Sequence, residues 1–127
     1  MTTAKEVLYL LSERETVEVL VSKYINLPLE CDGLTRVIHY ILDRNKIKHK
    51  VFLGSISLGD KNMDPHYWIE LSDKRIVDYR ARMWLGNKKE VPHGVFKLKD
   101  HPDVKYSGKI IRLSVSDTIF QILTLGV

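Results

Sequence analysis

The sequence predicts an α+β domain, helices first and an antiparallel sheet after them, and three observations carry that prediction. Apolar residues recur at helical spacing through the first third of the chain. β-Branched and aromatic residues crowd the stretch from residue 50 onward, and turns built from Gly, Asp, Asn and Ser separate those later segments, which favours strands that fold back on each other. With 127 residues, 44% hydrophobic and 28% charged, the chain has the length and balance of a single domain, residues 1–127, around one core.

Val7, Leu8, Leu10 and Leu11 suggest a first helix over residues 3–12. Val17, Leu20, Val21 and Tyr24 follow the i, i+3, i+4, i+7 rule and suggest a second over 14–25, with Ser12 as its cap ahead of Glu13 and Glu15. Leu34, Val37, Ile38, Ile41 and Leu42 form the strongest apolar stripe, a helix over 32–45. Strands are expected over 51–58, 66–71, 75–84 and 109–115, with turns at 59–65 and 72–74. Residues 87–107, with Pro92, Gly94 and Pro102, read as an irregular excursion holding a short strand at 95–98, and Ser116 or Asp117 caps a last helix through Leu125.

Twenty Lys and Arg against sixteen Asp and Glu leave a formal charge of +4, which permits an anionic partner without demanding one. Tyr79, Arg80, Arg82 and Trp84 form a short basic and aromatic stretch, the basis of an alternative reading as a non-catalytic module that binds nucleic acid or an acidic protein. One cysteine excludes an internal disulfide framework and multi-cysteine metal sites. His39, His49 and His101 have no partners at metal-ligand spacing and no glycine-rich phosphate loop is present, so neither a metal nor another cofactor is expected. The absence of a long apolar run and of a basic-then-apolar start leads us to expect a cytoplasmic protein without a membrane span.

Cys31 stands where the strongest helix begins. A thiol there meets the unpaired amides and the positive end of the dipole, which favour a thiolate, although a lone cysteine on an apolar stripe is more often core than catalyst. His66 opens a strand in which His66, Trp68 and Glu70 share one face. A three-residue loop at 72–74 would pair Leu71 with Arg75, set Trp68 opposite Asp78, and leave His66 and Asp78 as diagonal neighbours with Cβ atoms roughly 7–8 Å apart. A two-residue turn would put them on opposite faces. An imidazole oriented by a carboxylate is the base a thiol nucleophile needs.

The order Cys31 on a helix, His66 opening a strand and Asp78 on the next strand resembles the transglutaminase-like branch of the papain-like superfamily. His66-Tyr67-Trp68-Ile69-Glu70 looks like that family's His-x-Trp-x-Glu strand, Ile76-Val77-Asp78 like the strand that ends in its catalytic Asp, and Cys31-Asp32-Gly33-Leu34 more loosely like its cysteine helix. The resemblance covers residues 30–82. It implies a papain-like core and a Cys–His–Asp triad that works through a thioester, as peptidase, amidase, deamidase or acyltransferase, on a peptide or protein and in some small members with an accessory protein. In compactness the chain is most similar to small bacterial members such as the leader peptidases of lasso-peptide pathways. It departs from the family where Glu30 and Asp32 flank the cysteine, since acids pointing inward would oppose a thiolate. On this reading Asn26 or Tyr24 is the candidate second oxyanion donor beside the Cys31 amide, and Trp68 and His93 are candidates for substrate contact.

Overall fold

The computed structural model describes residues 11–127, so residues 3–10 of the first expected helix lie outside it. Helix α1 (Glu13–Val21) begins where Ser12 accepts a hydrogen bond from the Glu15 amide at 3.2 Å. It stops earlier than the apolar spacing predicts. Residues 22–29 form successive tight turns, because the carbonyls of Ile25, Leu27 and Leu29 are taken by the guanidinium of Arg80.

Helix α2 (Cys31–Arg44) turns Leu34, Val37, Ile38, Ile41 and Leu42 inward, as its stripe dictates. Strands β1 (His49–Leu58), β2 (Lys61–Leu71), β3 (Ile76–Asp78), β4 (Gly94–Phe96) and β5 (Val104–Ile111) make one antiparallel sheet in the order β4-β3-β2-β1-β5. The chain is thus an α+β domain, with α2 packed on the sheet through Ile69, Leu71, Val77 and Val95. Alternation along the strands sends Trp68, Ile76 and Phe96 to the other face, where they pack with Ile56, Val104 and short helix α3 (Ala81–Leu85). Each fully buried aliphatic side chain in these layers contributes roughly 1.5–3 kcal/mol.

Three strand expectations are corrected. The strand over 75–84 is cut to three residues, because the Asp78 carboxylate accepts the Arg80 amide at 2.9 Å and turns the chain into α3. The expected turn at 59–65 shrinks to Gly59 and Asp60, and β2 runs back through Pro65 to Lys61, with a register shift opposite Gly54 and Ile56. The last strand is Val104–Ile111, five residues earlier than expected, since its pairing with β1 is centred on Gly54 facing Gly108. That pair permits an unusually close approach. A Cβ on Gly54 would lie 2.0 Å from the Ser107 carbonyl oxygen, and one on Gly108 would lie 2.8 Å from the Trp68 ring.

The 72–74 loop has the expected three residues. The Leu71 amide donates to the Arg75 carbonyl at 2.8 Å, and Ile69 faces Val77. At the far side of α2, His39 and His49 meet ring to ring with 2.7 Å between Nδ1 of the first and Nε2 of the second. Helix α4 (Asp117–Leu123), capped by Ser116, docks on α2 through Phe120 stacked on Tyr40 and through Asp117, which accepts from Tyr40 and Arg44. Among the described residues no helix is long and apolar enough to cross a membrane.

Candidate active site

The register that places Trp68 opposite Asp78 also brings His66 and Asp78 together. His66 Nε2 lies 2.7 Å from Asp78 Oδ2, with both side chains buried. The carboxylate is fully engaged, since Oδ2 also accepts the Tyr106 hydroxyl at 2.8 Å and Oδ1 accepts the Arg80 amide. Burial, then the negative charge of Asp78, pushes the Tyr106 hydroxyl well above its ordinary range and keeps it a donor.

Cys31 is the first residue of α2 and 7% exposed. Its thiol lies close enough to His66 to act on the imidazole. Burial alone would pull His66 down, but the hydrogen bond to Asp78, the approach of Cys31 and the charges of both hold it up at about 9. Among the described residues, His66 Nδ1 is a buried side-chain nitrogen without a hydrogen-bond partner. An imidazole with one nitrogen on a carboxylate and a thiol acting on the ring is arranged to hold a proton. The α2 cap residue, Glu30, makes no side-chain capping bond, so it does not compete for the first-turn amides next to the sulfur. Glu30 and Asp32 are both exposed, so neither acid points at the thiol.

Cys31 and Asp78 front a small cavity of about 10 Å³, roughly one water in size, walled by Tyr79 and Arg80. The same two residues line an outer cleft of about 470 Å³ together with Asn26, Pro28, Glu30 and Met83. Asn26 is exposed and lines this outer cleft, which Cys31 does not. Tyr24 is elsewhere: its ring packs edge-on against Phe120, in the groove between α1, α2 and α4. Trp68 is 4% exposed, wedged among Phe52, His66 and Tyr106, and supports the imidazole without surface to offer a substrate. His93 is exposed and set edge-on against Tyr79 at 5.3 Å, where burial, then the charge of Arg82, lowers its proton affinity.

Two contributors were missed in the sequence. Tyr106 falls in the stretch read as irregular, and its place on β5 follows only from the pairing of that strand with β1. Arg80 is read in the sequence as part of the short basic and aromatic stretch, whereas its guanidinium reaches backbone carbonyls. Among the described residues no group of three or more His, Cys, Asp and Glu is placed to hold a metal ion. No family model, curated protein or solved structure matches the chain.

Proposed function

We propose that the chain is a cysteine hydrolase or acyltransferase of the transglutaminase-like kind, acting on an amide of a peptide or protein. The observation that carries this reading is the buried His66, held at Nε2 by Asp78, with the Cys31 thiol acting on the same imidazole from the side of the other ring nitrogen. In the reaction, His66 holds at Nδ1 the proton given up by the Cys31 thiol, and the sulfur attacks the carbonyl carbon. The Cys31 amide, with Asn26 as the nearby candidate, meets the developing oxyanion. The carbon–nitrogen bond then breaks, His66 returns the proton to the departing amine, and a thioester remains. Water, or a second amine, gives a proton to His66 and attacks that thioester; the product is a carboxylic acid or a new amide, and the thiol takes the proton back. A reducing cytoplasm would keep Cys31 in the free form this cycle requires.

The test is acylation by p-nitrophenyl acetate. We expect a burst of nitrophenolate and an acetyl group on Cys31 by mass spectrometry, lost in Cys31→Ala and slowed in His66→Ala. No acetylated Cys31 would sink the reading. Steeply salt-dependent polyanion binding that Cys31→Ala leaves untouched would favour the basic interaction module instead.

A further inference from the structure

Arg80 lies two residues after Asp78, the last residue of β3, and its two ends do different things. Its backbone amide holds Asp78 Oδ1 at 2.9 Å. Its side chain turns back across the site: Nε donates to the Leu29 carbonyl, Nη2 to those of Ile25 and Leu27 at 2.9 and 3.0 Å, and Nη1 to that of Tyr79 at 3.0 Å. Three of these carbonyls belong to the turns that deliver the chain to Cys31. Among the described residues Arg80 makes no ion pair, so no carboxylate neutralises it directly. Burial lowers its proton affinity, and the charges of Asp78 and Cys31 act against that lowering, so the guanidinium and the sulfur sense each other.

We propose that Arg80 is a positioning residue of the candidate site: one side chain fastens the turn that carries the nucleophile to the strand that carries the acid, and so fixes the sulfur against His66. This rests on the Cys31–His66–Asp78 reading. The planar fork is what the task requires, since carbonyls spaced along residues 25–29 are reached by separate N–H groups of a rigid plane, which a lysine ammonium on a flexible stem does not provide. Arg80 and Tyr79 also form the wall between the outer cleft and the small cavity at Cys31, so a shift of this one side chain changes both the alignment of the thiol and its cover.

The experiment measures the rate of iodoacetamide labelling of Cys31 against pH for the full chain, for Arg80→Lys, Arg80→Gln and His66→Gln, with Cys31→Ala as the blank. We expect Arg80→Lys to label about 10- to 100-fold more slowly than wild type near neutrality, as misplacement of a reacting group by about 1 Å does, with its pH profile displaced upward and no better than Arg80→Gln. A Lys variant with the wild-type rate and profile overturns the proposal. Against variants that do not fold, the wild type supplies its own check by nitrogen NMR. The Arg80 Nε–H exchanges slowly with solvent and shifts when Cys31 is alkylated; exchange as fast as an exposed arginine overturns the proposal. If His66→Gln labels like wild type, the triad reading fails first. If His66→Gln slows labelling and Arg80→Lys does not, only the role of Arg80 fails.

Discussion

Replacing Asp78 by asparagine keeps the shape of the side chain and removes its charge. In the native site the carboxylate receives three hydrogens, from the Arg80 amide on Oδ1 and from Tyr106 and His66 on Oδ2. An asparagine oxygen held by the Arg80 amide turns its nitrogen toward His66, where it donates to Nε2 and drives the ring hydrogen onto Nδ1. The ring can then no longer hold hydrogens on both nitrogens, as keeping the proton given up by the thiol requires. The magnitude follows from the imidazole. Burial pulls His66 down, the bond to Asp78 is the largest influence lifting it, and the net rise from 6.5 to about 9 is worth about 3 kcal/mol. Losing that support in the acylation transition state slows the step by about a hundredfold. The assay is the burst with p-nitrophenyl acetate at neutral pH, read beside nitrogen NMR of the His66 ring and a thermal melt that reports folding. A folded Asp78→Asn chain that acylates at the wild-type rate, with hydrogens still on both ring nitrogens, would refute the reasoning.

Three further outcomes are expected. Between pH 6.5 and about 9 the folded chain holds a His66 proton that the unfolded chain has released, so this contribution to stability is complete below 6.5 and falls by about 3 kcal/mol as pH rises through the window. Chemical denaturation across the window checks it, and His66→Gln should remove that slope. Tyr106→Phe deletes one donor to Asp78 and should cost about 1–2 kcal/mol in the same measurement; no loss would show that the hydroxyl is dispensable. Gly54→Ala places a methyl group 2.0 Å from the Ser107 carbonyl oxygen and should cost at least about 3 kcal/mol, with the pairing of β1 and β5 disturbed in hydrogen exchange.

What was readable in the sequence was whatever a local pattern decides. The stripe of α2 is a matter of spacing, and the pairing of β2 with β3 follows from the count of residues at 72–74, which sets His66 and Asp78 on one face when the loop has three residues and on opposite faces when it has two. What escaped depends on partners far along the chain. Tyr24 continues the helical spacing of α1, yet the helix is broken before it by turns whose carbonyls go to Arg80, over 50 residues away. Residues 79–84 have the aromatic content of a strand, but the Asp78 carboxylate captures the backbone first. Tyr106 and the glycines at 54 and 108 make sense only once β1 and β5 are side by side.

The crossing of His39 and His49 alters the charge count of the molecule. His39 Nε2 faces the Leu113 carbonyl oxygen and His49 Nδ1 faces that of Ile47, so each of these outer nitrogens carries a hydrogen. The inner two, 2.7 Å apart, cannot both be bare lone pairs, and a third hydrogen must lie between them. Burial first, and the charge of His39 among the further causes, lowers the proton affinity of His49. The formal value of +4 treats all five histidines as uncharged. This pair therefore adds a cation that the lysines and arginines do not account for, half-buried between a helix and a sheet.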